Sequence, residues 1–561
     1  MTGEKTVGGY FGKGLFALAL LALPGAALAQ MGDQGSAPDH AHPASPPDTS
    51  PPATPLAEAL HPGEAHNHAD MLVPKVPTLL EGYGGGGFAV TTAVPQAQAF
   101  FSNAMELDFA FAHRASVEAA REAVRLDPTC AMCLWAQALT DGPTINYGKD
   151  AAERRPLYAL VRRAAALAKT AGTERERALI AALAVRYRPG KVEARDDAYT
   201  AAMIALAARY PLDNEIAVLA ADAVLEGANT RELEQPAGVR AMALLEPVLA
   251  RAPDHTPAIH FYIHASEIAR QPAKAESSAD RLGTLAPRAS HLVHMPSHTY
   301  FWVGRYQDAA DVNARAVEIG KANAARLGLP APLGEWDLPY HAHNVIFGLG
   351  GALMAGDSRT ALMLGRPLVE RSAMREDAGA VSQLLAAAGY FALARFEDPA
   401  VVLVLPEPKL PYLKAAWHYA RGEAFAFRHD DTGLAAEIAA IPDKIAPPAQ
   451  RPGEEADADP SKAPDQMLGI VKLVLQGRAA MIAGKPADAA TAYAAAAIIE
   501  ESDDFSRFND PPAFWYPVRR DYAAALLASG DKAGATREIA ASLRLRPHDP
   551  VALALLAGMG D

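Results

Sequence analysis

The sequence predicts an all-α chain of antiparallel helix pairs, and three observations carry that expectation. From Pro95 almost to Asp561 the chain shows Ala/Leu/Arg helical patterning, broken by Gly and Pro at loop positions and with few β-branched alternations. Half of the residues are hydrophobic but only 7% are aromatic, a balance that suits Ala-packed helices better than a β-rich core. Finally, a pattern of residues at offsets 0, 4 and 7, with small ones favoured at 0 and 7, recurs along the body, and two adjoining copies are 34 residues apart.

Residues 1–29 read as a signal peptide. Lys5 and Lys13 precede the apolar stretch Leu15 to Leu23, Pro24-Gly25 breaks it, and Ala27-Leu28-Ala29 offers a small-x-small cleavage pattern. The apolar run is too short for a permanent membrane span and no later run reaches about 18 residues, so the expected location is periplasmic or secreted. Residues 30–94 are rich in Pro, Ala and His, with ten prolines from Pro38 to Pro77 and four glycines at Gly84 to Gly87. That composition predicts a flexible linker. Residues 95–561 form the expected helical body. The formal charge of −13, without a long basic run, argues against a nucleic-acid partner, and two cysteines are too few for a disulfide scaffold.

Within the body the offsets are filled by Ser116, Ala120 and Ala123, by Ala275, Ala279 and Leu282, by Ala309, Asn313 and Ala316, by Ala489, Tyr493 and Ala496, and by Ala535, Ile539 and Ser542. Small residues at 0 and 7 let two helices approach closely, and a proline at offset 12 (Pro128, Pro287, Pro547) stops the second helix. Degenerate pairs are expected around Gly356/Ala361 and Trp417/Ala435. This unit of about 34 residues resembles the tetratricopeptide repeat, whose helix pairs stack into an α-solenoid with a concave groove. The stretches Phe109 to His113, Leu126 to Trp135, Gly142 to Asn146, His260 to Glu267, His291 to His298 and Asp510 to Arg519 are similar to those of a family of secreted bacterial tetratricopeptide-repeat proteins. That resemblance covers roughly residues 95 to 560 and implies fold and location rather than chemistry.

Histidine placement points to a site. Eight of the 17 histidines (His255, His260, His264, His291, His294, His298, His341 and His343) fall within 89 residues, where an even spread would put about three. If Ala275 and Ala309 are each position 20 of their unit, His260, His264 and Glu267 take positions 5, 9 and 12. His291, His294 and His298 take 2, 5 and 9 of the next unit, and the repeat resemblance implies that such positions line the groove. Imidazoles at i and i+4 on neighbouring helices are expected to meet around one or two ions. His260, His264 and His298 are the core ligands of this reading. Glu267, His291, His294 and His343 are auxiliaries: Pro296 is expected to interrupt the helix carrying His291 and His294, and 18 extra residues intervene before the unit of His343.

Imidazole-rich sites with one carboxylate suit a transition metal ion. Copper is favoured by the His61, His66, His68 and Met71 tract, with zinc or iron as alternatives. Glu267 would then act as base or fifth ligand, with Tyr262 or Tyr300 as a nearby proton or electron donor. Cys130 and Cys133 are expected to form a local disulfide apart from this site, because Leu134 stands where haem attachment needs His. His113 is expected to cap or pack, and the run from Pro511 to Pro517 to cover the end of a solenoid core. Two functional classes remain open: a metal-dependent enzyme or metal-handling protein, and a scaffold that takes a peptide or partner protein in its groove.

Overall fold

The computed structural model describes residues 77–559 apart from 147, 229–230, 330–333, 377, 447–461, 507 and 509–510. The signal-peptide and His/Met-tract expectations therefore lie outside the described residues. Among the described residues every regular element is helical, and they fall into two compact bodies. One comprises residues 77–355 with Arg546–His548, and the other 356–545 with Asp549 onward.

The first body contains α1 (Pro95–Phe109), α2 (His113–Leu126), α3 (Ala131–Thr140), α4 (Arg154–Ala171), α5 (Glu174–Tyr187), α6 (Val192–Arg209), α7 (Asn214–Glu226), α8 (Arg231–Arg251), α9 (Thr256–Ile268), α10 (Glu276–Leu285), α11 (Ser290–His294), α12 (Pro296–Val303), α13 (Tyr306–Arg326) and α14 (His341–Ala355). Consecutive helices pack on one another, as the short loops require. Local chemistry sets the ends: Thr173 and Glu176 form a reciprocal capping box at α5, and the Asp213 carboxylate accepts from the Ile216 amide at α7. The second body contains α15 (Ser358–Ala373), α16 (Ala380–Phe396), α17 (Pro399–Leu403), α18 (Pro411–Phe427), α19 (Asp431–Ala440), α20 (Ala463–Ile482), α21 (Pro486–Glu500), α22 (Arg519–Ser529), α23 (Lys532–Leu545) and α24 (Pro550–Ala557).

The repeat register holds in both bodies. All fifteen residues at offsets 0, 4 and 7 are at most 1% exposed, so the spacing marks the seam along which helices touch. The degenerate pair at α18 and α19 departs from it: Leu434 is fully buried while Ala435 faces solvent. The expected cover from Pro511 to Pro517 is present, with Phe514, Trp515 and Tyr516 buried in the second body and Phe514 set edge-on to Phe391. Cys130 and Cys133 are joined in a disulfide at the start of α3.

The flexible-linker expectation for residues 30–94 needs correction over 77–94. This segment has no helix, yet it is tied to the body. Leu80 exchanges two hydrogen bonds with the Asn103 side chain, Thr91 is held by Glu176, Thr92 donates to Asp127, and Gly82 accepts from the Arg288 amide. Low-complexity composition hid these partners because each lies on an element distant in sequence.

One close approach positions the site described next. A Cβ on Gly351 of α14 would lie 2.7 Å from the Ala310 amide nitrogen and 2.9 Å from the Tyr306 carbonyl oxygen, both on the backbone of α13. Gly351→Val is expected to lower stability by about 1–3 kcal/mol, as overpacking does, because backbone cannot yield as a side-chain tip can. Urea unfolding checks this, and an unchanged midpoint would show that the two helices separate freely.

Candidate metal centre

The structure brings all seven predicted residues together within the first body, in an arrangement that differs from the predicted core of His260, His264 and His298. The ligand-capable atoms form two histidine sets, His260/His264/His291 and His294/His298/His343, each lying within 4.8 Å of one another. His264, Glu267 and His298 meet the same spacing and link the two sets. The sets abut, with ring centroids 5.4 Å apart for His264 and His298 and 5.5 Å for His291 and His294.

The elements explain the convergence. His260 and His264 are one turn apart on α9, and His294 and His298 are one turn apart across the α11–α12 junction. Pro296 does not displace His291 and His294 as expected. Met295 keeps right-handed helical angles (φ −49°, ψ −36°) and Pro296 opens α12, where a missing amide proton costs nothing. His343 enters from the first turn of α14, held by the Gly351 contact.

Outer partners fix several of the rings. His260 Nδ1 lies 2.7 Å from the Phe109 carbonyl, so it carries the proton and leaves the Nε2 lone pair facing inward. Asn313 donates its amide to the Ala309 carbonyl at 2.7 Å, which turns its side-chain oxygen toward His294 Nδ1 at 2.6 Å. His298 Nδ1 is 2.6 Å from one Glu267 oxygen, while Trp302 Nε1 donates to the other at 2.8 Å. Glu267 thus stands behind His298 as an orienting carboxylate, the carboxylate–histidine arrangement common to metal sites, while its spacing to His264 and His298 is also that of a ligand.

The inward nitrogens crowd. His294 Nε2 lies 3.0 Å from both His298 Nε2 and His343 Nε2, and His260 Nε2 lies 3.2 Å from His291 Nε2. The buried His264 Nε2 and His291 Nδ1 have no hydrogen-bond partner. Burial, reinforced by the neighbouring imidazoles, holds His264, His291 and His294 well below the usual histidine range, and burial pulls His260 down to about 3. Burial thus favours the neutral, lone-pair-bearing form of these rings.

Aromatic walls enclose the cluster. The Phe111 ring stacks on His291 at 4.8 Å and meets His260 edge-on at 4.5 Å. Phe347 of α14 lies 4.4 to 4.8 Å from His294, His298 and His343. Tyr340 sits 4.5 Å from His291, and its hydroxyl accepts from Asn146. Phe111 (φ +54°) and Tyr340 (φ +66°) both adopt the left-handed conformation. For Phe111 this ends α1, where its own amide and that of Ala112 cap the last turn. Such a conformation costs a bulky residue about 1–2 kcal/mol, here offset by ring burial against the histidines.

Two expectations change as a result. The histidine face is not an open groove, since the Phe109–His113 turn covers it and His260, His264, His291, His294 and His298 are at most 9% exposed. Tyr262 and Tyr300 do not serve the cluster, because their hydroxyls donate to Glu246 and Asp280. Of the other clustered histidines, His255 caps α9 and His341 packs on Trp336. His113 packs beside Phe111 and Tyr340 as expected. The sequence reading missed Asn313, Phe111, Tyr340, Phe347 and Trp302. Asn313 alone carried a signal, as a fully buried amide at an offset filled elsewhere by Ala, Tyr or Ile.

No protein-family model and no curated protein matches the chain. Solved structures do match at low similarity. The APC/C hetero-tetramer Cut9-Hcn1 shares 11% identity over 83% of this chain and 76% of that one, with a TM-score of 0.24. The TPR domain of P58(IPK) shares 10% identity over 77% and 98%, with a TM-score of 0.21, and Naa15/Naa10 bound to HypK-THB shares 11% over 83% and 73%, with a TM-score of 0.19. These values give no argument about function. The tetratricopeptide-like character rests on the helix order and the buried 34-residue register of the chain itself. No described helix is long and apolar enough to cross a membrane.

Proposed function

We propose that this is an exported helical-repeat protein holding a transition metal in the histidine cluster of its first body, with its chemistry at the half-buried edge formed by Tyr340 and His343. The observation that carries this reading is the His294–His298 contact. With both Nδ1 atoms committed to acceptors, two Nε2 lone pairs face each other at 3.0 Å and need a positive charge between them. A proton satisfies two nitrogens, whereas a metal ion serves three, and His343 Nε2 approaches the same atom of His294 at 3.0 Å. Nitrogens bound at about 2.0–2.1 Å to one ion lie roughly 2.9–3.4 Å apart for bond angles of 90–109°, the spacing seen here.

Imidazole ligation suits copper, zinc and iron alike, and the His61, His66, His68 and Met71 tract favours copper among them. Fixed, buried rings suit a resident ion better than one to be handed on, and three protein ligands leave a position for water or substrate, which favours catalysis over storage. A peptide lying along the groove would find these histidines already covered. Export follows from the amino-terminal sequence pattern, and signal cleavage is checked by sequencing the amino terminus of the periplasmic protein.

Elemental analysis of untagged protein, before and after addition of copper, zinc or iron, tests the metal reading. At least one ion per chain is expected. The double variant His264→Ala/His298→Ala, which takes one ring from each set, should reduce binding below a tenth of an ion while circular dichroism keeps its helical signal. Metal that stays far below one per chain after every addition would sink the proposal.

A further inference from the structure

Resting on that metal reading, we infer that the cluster holds two ions, one in each histidine set, and that together they bind a small anion entering at the Tyr340–His343 edge. Six imidazoles do not converge on one point. An ion at about 2.0–2.1 Å from each ligand requires its nitrogens to lie within about 4.2 Å of one another. The three short nitrogen–nitrogen contacts described above, 3.2 Å for His260–His291 and 3.0 Å for His294–His298 and His343–His294, all fall inside a set. The third ring of the first set, His264, brings a buried Nε2 that has no hydrogen-bond partner. Its ring lies 5.0 Å from that of His260 and 6.2 Å from that of His291.

The outer partners follow the same division. Phe109 orients a ring of the first set, while Asn313 and Glu267 orient rings of the second. Phe111 walls the first set and Phe347 the second. Ring contacts of 5.4 and 5.5 Å between sets place the two sites side by side, close enough to share one ligand.

Charge identifies the class of that ligand. Neutral imidazoles contribute none, and Glu267 is the one carboxylate among the seven residues. Two divalent ions would therefore leave an excess of positive charge in a low-dielectric setting, where an anion is strongly favoured. Three protein ligands per ion leave an open position on each for such an anion. Tyr340 and His343 are partly exposed, as are Glu267 and Trp302, but the latter two are tied to each other behind His298, so entry is from the Tyr340–His343 side.

The test uses full-length untagged protein loaded with copper(II), with azide as the anion. Two coppers per chain are expected, with an electron paramagnetic resonance signal that accounts for well under the total copper because the spins couple. Azide should add a charge-transfer absorption and change that signal. His343→Ala, on the half-exposed edge, should bind about one copper per chain with its full spin intensity, and His260→Ala should do the same from the other set. One copper per chain in the unchanged protein, with every spin detected, would overturn the two-ion inference and leave the single-metal reading standing. No copper bound at all would overturn the two-ion inference, and the metal reading with it if zinc and iron also fail to bind, and an azide-insensitive spectrum at two coppers per chain would overturn the anion assignment.

Discussion

His294→Ala is expected to lower the metal affinity of the second histidine set by more than 100-fold, measured by competition with a chelator of known affinity. His294 is the hub of that set, since its Nε2 meets both His298 and His343 at 3.0 Å. Losing an outer partner alone typically costs 10–100-fold in metal affinity, so removing the ligand itself must cost more. Asn313→Leu supplies the comparison. It keeps a side chain of similar size but removes the acceptor that fixes the His294 tautomer, and about 10–100-fold is expected. Thermal unfolding of the metal-free variants separates this from instability, because alanine at 294 leaves the buried Asn313 oxygen unpaired at a cost of about 1–3 kcal/mol. Unchanged affinity in His294→Ala would show that the second set binds no metal.

The second large effect is structural and lies in the other body. Arg478 of α20 is 2.9 Å from Asp521 and 3.2 Å from Glu423, and it also donates to the hydroxyls of Tyr493 and Tyr516. The two carboxylate side chains are only 5% and 14% exposed. Arg478→Met fills the space but leaves both carboxylates without their cation, which in buried pairs costs about 3–5 kcal/mol. For a body of about 200 residues, each kcal/mol moves the melting temperature by roughly 2–4 °C, so a drop of about 6–20 °C is expected by calorimetry. Adding Asp521→Asn should recover part of the loss by removing one stranded charge. A drop below 2 °C would show that water already solvates the pair.

The fold was legible in the sequence because a repeat imposes the same steric demand at the same offset each time. Ala120, Ala279, Asn313, Tyr493 and Ile539 differ in chemistry but all sit on the buried seam. The histidines were legible for the same reason: register on a helix decides which residues share a face. What register cannot give is the partner from a distant element. Phe109 meets His260 across 151 positions, and Tyr340 closes over His291 from a turn whose backbone angle no periodicity predicts. The division into two sets was hidden because it depends on which ring nitrogen each outer partner engages. Likewise, residues 77–94 read as linker because low complexity does not reveal the carboxylates and amides waiting on α1, at the end of α2 and on α5.

The carbonyl of Phe109 on His260 has a consequence for how the protein is made. The chain from the amino-terminal hairpin to α9 must be present before the His260 ring reaches its final tautomer. A peptide spanning only His260 to His298 would own most of the donors but lack the Phe109 and Asn313 acceptors that orient His260 and His294, so it should bind ions with less selectivity. Selectivity would then be acquired late in biosynthesis, when the first helices fold back over rings synthesised some 150 residues after them.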